Sequence, residues 1–421
     1  MPDLDKLSSE VFLALQICAT SEPLFPNMRS LDLRPSTGKS ISFIPLLLSP
    51  RMTVLSIGGF GDEPPTTTIA SMIASLPTLC PNLQEITLYP LPGDPQVAEA
   101  LSGMLLASNR NALRRFCVDF PLKEAVLQVV CTLPNLRNLS VVIEKDSSPS
   151  VVLPNLTDLT VKWHDGDWSR VFRRATFGKL EAITLLPPFN QIDGFLEVFE
   201  RAALSASIQN TLSIFWIHTS AYSWNPNYSS LLQFTQVTTL VIGFSCRGGC
   251  SSTVDDEIIT NLARAMPKLD TLNLGGLPCC EIPVGVTAKG LVALSSHCLK
   301  LSSLCIHFQV DSLISLPAVS RTASGNRSAA PRRDCALIGL EVGEIPLPEE
   351  SVSTVALTLA RIFPYIEWID CVDENWDKVA DAISISREII SHSSEECPLF
   401  LPRSNFSDTL PGATPDDVVP L

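Results

Sequence analysis

The chain has 421 residues, 45 % of them apolar and only 18 % charged, with a formal net charge of −14 and a pI near 4.8. That apolar content is ample for a packed interior and too high for general disorder. The acidic balance argues against nucleic acid as the main partner, because phosphate binding rests on clustered Lys and Arg. The longest apolar run, Ile41 to Leu48, stops at Ser49-Pro50-Arg51 and falls well short of the roughly 20 residues that span a bilayer, so no membrane partner is expected.

Met1-Pro2-Asp3-Leu4-Asp5-Lys6 lacks the basic start and long apolar core of a secretory leader. Residues 1–23 are expected to form an N-terminal helical cap. From Met28 onward one phrase recurs: an apolar residue, two variable residues, an apolar residue, one variable residue, an apolar residue. It is clearest in Leu136-Arg137-Asn138-Leu139-Ser140-Val141, Leu156-Thr157-Asp158-Leu159-Thr160-Val161 and Leu269-Asp270-Thr271-Leu272-Asn273-Leu274. Looser copies begin at Met28, Met52, Leu83, Leu113, Leu180, Leu212, Val237, Leu301, Leu337 and Ile366. The thirteen starts lie 20 residues apart at the closest (Leu136 to Leu156) and 36 at the widest (Leu301 to Leu337). A short strand phrase at such intervals is the signature of a leucine-rich repeat. The expected fold is therefore α/β: a leucine-rich-repeat solenoid over residues 24–372, with a curved parallel sheet on the concave side and helices and turns on the convex side.

Between phrases the chain carries helical spacing. Helices are expected at 67–79, 95–108, 122–133, 192–206, 255–266, 287–297 and 349–363. The unit from Leu136 to Leu156 is too short for a helix, so a turn or 3₁₀ piece is expected there. Many units close on a proline just before the strand, as in Cys80-Pro81-Asn82-Leu83, Leu153-Pro154-Asn155-Leu156 and Met266-Pro267-Lys268-Leu269. Proline lacks an N–H and biases its predecessor to extended geometry, which ends the helix. Residues 320–334 carry four arginines and no large apolar residue and read as a flexible insertion, either a docking loop or a tolerated surface insertion. Residues 373–394 read as a C-terminal capping helix, since an open solenoid end exposes core. Residues 395–421 read as a disordered, acidic, Pro-rich tail.

Chemistry is sparse. Cys246-x-x-x-Cys250 and Cys279-Cys280 have no His at a zinc-site offset, so no metal or other cofactor is expected. There is no Gly-x-Ser-x-Gly elbow and no phosphate loop, and the five histidines are scattered, so no enzyme is expected. Thirteen cysteines without a secretory leader read as free thiols in a reducing compartment, cytoplasmic and/or nuclear. Several, such as Cys80, Cys117, Cys131, Cys305 and Cys371, fall in or beside the phrase, where cysteine acts as a small apolar filler.

Strand alternation points the variable residues of each phrase outward. Two candidate protein-binding patches emerge. Ile214, Trp216 and Val241 would form an exposed apolar ridge on adjacent strands, unless the register places them in the core. Arg114, Arg115 and Arg137 would form a cationic cluster, open to an acidic partner or simply solvated. Trp368 is a further outward aromatic near the end.

Pro23-Leu24-Phe25-Pro26-Asn27-Met28-Arg29-Ser30-Leu31, Phe43-Ile44-Pro45-Leu46-Leu47-Leu48-Ser49-Pro50 and the repeated Pro-Asn-Leu-x-x-Leu resemble the leucine-rich half of fungal F-box proteins, in the style of mushroom-forming fungi. The likeness covers roughly residues 7–394. In that family an F-box docks the adaptor of a cullin–RING ubiquitin ligase and the repeats hold the substrate. Here Leu7-Ser8-Ser9-Glu10-Val11-Phe12 is too short to be an F-box. The resemblance thus implies the substrate-recognition half, a non-catalytic protein-interaction module with its partner on the concave face. A ligase adaptor joins the partners only if an F-box lies upstream. The alternative is a stand-alone scaffold or inhibitor with no ubiquitin-ligase link.

Overall fold

The computed structural model describes residues 11, 14, 23–33, 43–58, 66–89, 95–107, 111–143, 151–163, 175–186, 206–219, 228–244, 254–275, 285–315, 335–343 and 345–395. The expectations for 1–23, 192–206, 320–334 and 395–421 lie wholly or mostly outside those residues.

Fifteen strands are described: β1 Ser30–Leu33, β2 Val54–Ile57, β3 Glu85–Leu88, β4 Arg115–Leu122, β5 Asn138–Ile143, β6 Val151–Leu153, β7 Asp158–Trp163, β8 Ala175–Phe177, β9 Ala182–Leu186, β10 Ile214–Thr219, β11 Thr239–Phe244, β12 Thr271–Asn273, β13 Ser303–Cys305, β14 Gly339–Gly343 and β15 Trp368–Cys371. Thirteen of them form one sheet in chain order, β1-β2-β3-β4-β5-β7-β9-β10-β11-β12-β13-β14-β15, and every pairing in it is parallel. The fold is α/β.

Each of the thirteen strands starts at the third residue of one copy of the phrase, and the third residues pair across the whole sheet, from Ser30↔Val54 to Gly339↔Trp368. The fourth residues then stack in one column, among them Leu55, Phe116, Phe215, Leu272 and Leu340, all buried. The sixth residues, such as Ile57, Val141, Ile217 and Val342, make a second buried column, and the first residues, from Met52 to Ile366, a third. These columns join the helices in one continuous apolar core. A buried row also runs three residues before the phrase: Ser49, Cys80, Leu133, Leu153, Phe177, Phe234, Met266, Cys298 and Phe363. In those nine units the row packs where the chain turns into its strand.

The junctions share one hydrogen-bond device. At all twelve, the carbonyl of the second phrase residue accepts two N–H groups, from the second and third residues of the next copy, at 2.7–3.3 Å. Arg137 N and Asn138 N, for example, both donate to Arg114 O at 2.8 and 3.0 Å. Where the second residue is Ser or Thr, its hydroxyl adds a third donor: Thr53 Oγ1 to Arg29 O, Ser213 Oγ to Glu181 O and Thr238 Oγ1 to Ser213 O, each 3.1 Å. The Pro-Asn-Leu spelling has a similar cause. Asn82, Asn135 and Asn155 each donate a side-chain N–H to a carbonyl of the preceding unit, at Pro50, Asn111 and Pro134.

Helices Thr66–Leu79, Pro95–Ala107, Glu124–Cys131, Asp256–Ala265, Ala288–His297, Val352–Ile362 and Asn375–Glu395 follow the expected positions within a few residues. The segment Glu349–Ser351 is a 3₁₀ turn leading into Val352–Ile362. Two expectations are corrected. The helix placed at 122–133 begins only at Glu124, because β4 runs on to Leu122. Phe116, Val118, Phe120 and Leu122 are all buried, a period of two that extends the strand. The turn expected between Leu136 and Leu156 instead contains β6, which pairs in parallel with β8. In these two neighbouring units an extended pair satisfies backbone donors and acceptors.

Tandem Asp255-Asp256 joins two units. The Asp255 carboxylate accepts from Ile258 N at 2.8 Å and caps its own helix. The Asp256 carboxylate reaches the next helix, accepting from Thr287 N at 2.7 Å, Gly290 N at 3.0 Å and Thr287 Oγ1 at 2.5 Å. Asp256→Ala removes three bonds between units and Asp255→Ala removes one local cap. The first should cost about 2 kcal/mol and the second about 1 kcal/mol in urea unfolding. The reverse order would show that Asp256 does not tie the units together.

Candidate interaction surface

Helices cover one face of the sheet. The other carries the third and fifth phrase residues, and among the described residues these are exposed or half-buried except for Cys305 and Gly339. Trp216 is 47 % exposed, Ile214 is exposed two residues before it on β10, and the alternating Phe215 and Ile217 are buried. Val241 is half-buried rather than exposed. It pairs directly with Trp216, which has Thr184 on its other side. The three apolar residues thus meet on two neighbouring strands, as their spacing predicts.

The arginine cluster divides in two. Arg115 lies on the strand face, and its Nη1 is 3.2 Å from Glu85 Oε2, the same phrase position on the next strand. Both side chains are substantially exposed, so this pair adds little stability. Arg114 and Arg137, at the second phrase position, are exposed along the edge where the strands begin, on adjacent units. Lys162 Nζ on β7, two strand steps from β4, lies 2.8 Å from Asp119 Oδ1 of β4 across β5.

Trp368 does not join the Trp216 patch. Five strand steps separate β10 from β15, about 24 Å at the usual strand spacing. Its indole lies over the neighbouring strand, and this depends on a glycine: a Cβ on Gly339 would sit 2.0 Å from Trp368 Cζ2. Tyr89 uses the same device over Gly58. Neither glycine carried a signal in the phrase, because each matters only through its cross-strand neighbour. Around Trp368 stand Glu367 and Asp370, both exposed, and half-buried Glu341, which pairs with Asp370 and with Cys305.

Burial governs the thiols. It pushes Cys80 and Cys131 up to about 11 and Cys298 up to about 12. Cys305 is raised further by burial, with the adjacent Glu341 carboxylate adding to it. Cys298 Sγ donates to the carbonyls of Ala263 and Met266 at 3.6 Å, and Cys335 Sγ to that of Cys298 at 3.3 Å. These are core fillers held in the protonated, unreactive form. Among the described residues no group of three or more His, Cys, Asp and Glu is arranged to hold a metal ion, and no helix is long and apolar enough to cross a membrane. The pairs Cys246/Cys250 and Cys279/Cys280 lie outside the described residues.

No family model matches the chain, and no curated protein is similar to it in sequence.

Two outcomes check this geometry. At pH 7.5 Cys80, Cys298 and Cys305 should resist maleimide labelling in the folded protein and react once it is unfolded, as read by mass spectrometry. Gly339→Ala should lift the Trp368 indole off β14 and shift tryptophan emission to the red, whereas Gly103→Ala, at a helical site with open space for a Cβ, should not.

Proposed function

We propose that the chain is a non-catalytic protein-interaction module: a leucine-rich-repeat solenoid whose strand face receives a protein partner, in the manner of the substrate-recognition half of an F-box protein. One observation carries this reading. The thirteen phrases supply thirteen parallel strands in strict chain order and common register, so their variable third and fifth residues share one surface. That surface keeps large apolar side chains in solvent, chiefly Trp216 and Trp368. Exposed tryptophan and arginine are the residue types enriched in interface hot spots.

The described chemistry supports recognition over catalysis: among the described residues Cys80, Cys298 and Cys305 are buried thiols held protonated. A link to a ubiquitin ligase rests on the resemblance of Pro-Asn-Leu-x-x-Leu and its flanks. The alternative, a scaffold or inhibitor without a ligase, uses the same face.

Cross-linking of the purified chain to its cellular partners, with Trp216→Ala and Arg115→Glu as comparison proteins, tests the reading. Each variant, shown by circular dichroism to be folded, should reduce recovery of a specific partner at least tenfold. Retention of every partner by both would refute the strand face as the binding surface. Co-purification of a cullin-ligase adaptor with the chain would support the ligase reading, and its absence from a stable complex with a captured protein would favour the scaffold.

A further inference from the structure

The strand face, together with the rim where its strands begin, is electrically polar along its length. On β1–β7 the rim carries Arg29, Arg114 and Arg137, and the face carries Arg115 and Lys162 against Asp32, Glu85, Asp119 and Asp158, with Arg115 paired to Glu85 and Lys162 to Asp119. On β9–β15 the second, third and fifth phrase positions carry Glu181, Asp270, Glu341, Glu367 and Asp370 and no Lys, Arg or His. Lys179, Lys268 and Lys300 come one residue before their phrases, on the rim outside that face. Between the two ends Trp216, Ile214 and Val241 break a run of small polar residues. In the sheet order β10 and β11 stand midway between β4–β5 and β14–β15. The rim arginines Arg114 and Arg137 beside Arg115 thus make a cationic cluster at β4–β5, followed by an apolar centre and an anionic end that holds a second tryptophan.

We propose that the occupant of this face is an extended protein segment of opposite polarity, acidic over β4–β5, with one bulky apolar side chain on Trp216 and a basic end over β14–β15. The proposal rests on the reading of the face as a protein-binding surface and specifies what it binds. Charge complementarity selects the segment and its direction. Arginines fork onto carboxylates. Carboxylates flanking Trp368 receive Lys or Arg, with the indole adding a cation–π contact. Like charges brought together in the reversed direction are repelled, which fixes register. Spacing sets the length. Nine strand steps separate β4 from β15, about 43 Å at roughly 4.8 Å each. An extended chain at about 3.3 Å per residue covers that distance with about 13 residues. The acidic side chains should fall about four to six residues from the apolar anchor and the basic ones about six or seven beyond it.

Selection from a displayed library of random 20-residue peptides, with the full chain as bait at physiological salt, tests this. Enriched peptides should place acidic residues, a bulky apolar residue and basic residues in that order in a single chain direction. Synthesised peptides should then bind the native chain at least tenfold more tightly than the same peptides with the two charged ends exchanged. An Arg115→Glu/Arg137→Glu protein should lose the preference for the acidic end alone. A Glu367→Gln/Asp370→Asn protein, altered only at exposed side chains, should lose the preference for the basic end alone. Peptides that are uniformly charged, or indifferent to exchange of their ends, but that fail on Trp216→Glu would overturn the polarity and leave the binding face standing. Peptides that bind Trp216→Glu as well as the native chain, or no enrichment at all, would overturn the face itself.

Discussion

The structure depends on a single backbone constraint, the carbonyl of the second phrase residue taking two N–H donors from the next unit. A parallel pair of three- or four-residue strands has few ladder bonds, and parallel pairing is slightly weaker per residue than antiparallel. A carbonyl has two lone pairs, and filling both anchors each junction at the same residue. Once that point is set, alternation sends the fourth and sixth residues into the core and the third and fifth to the open face at every junction. A slip of one residue would move Leu272 and Leu274 into solvent, which gives the register its strength. The hydroxyls of Thr53, Ser213 and Thr238 reinforce the same acceptor.

Because the junction is defined at the strand, the rest of each unit is free to vary. The segments returning from one strand to the next are a full helix at Thr66–Leu79, a 3₁₀ turn at Tyr228–Gln233, a five-residue helix at Val310–Ile314 and an extended piece at β6. The first, the second and the last bring Cys80, Phe234 and Leu153 to the buried row three residues before the phrase, as the helix Ala288–His297 brings Cys298. Side-chain ties then run between units on the helical face, as Asp256 does to Thr287 and Gly290. Stability is therefore a sum of neighbour contacts, and spacings of 20 to 36 residues do not disrupt the sheet.

The same division leaves the open face available for function. Its third and fifth residues add little to the core, so their chemistry can be chosen by a partner. The paired column Ser30, Val54, Glu85, Arg115, Asn138, Asp158, Ala182, Ile214 runs through neutral, anionic, cationic and apolar side chains without altering the backbone beneath. A surface this tolerant, with Trp216 at its centre and charges segregated toward its ends, is suited to reading an extended segment.

The amino-acid order alone determined the thirteen strands of the main sheet and which of their residues face inward, because the phrase encodes burial directly: Leu139, Val141 and Leu272 are inside as their spacing requires. It also determined that Ile214 and Trp216 point away from the core. Only the tertiary structure decided what lies beside what. The pairing of Arg115 with Glu85, the half-burial of Val241, the indole of Trp368 resting on Gly339 and the union of β6 with β8 all join residues 24 to 30 positions apart. The physical reason is that a phrase specifies a residue's direction from local geometry, whereas its neighbour is set by the length of the intervening segment and by the register of the strand next to it.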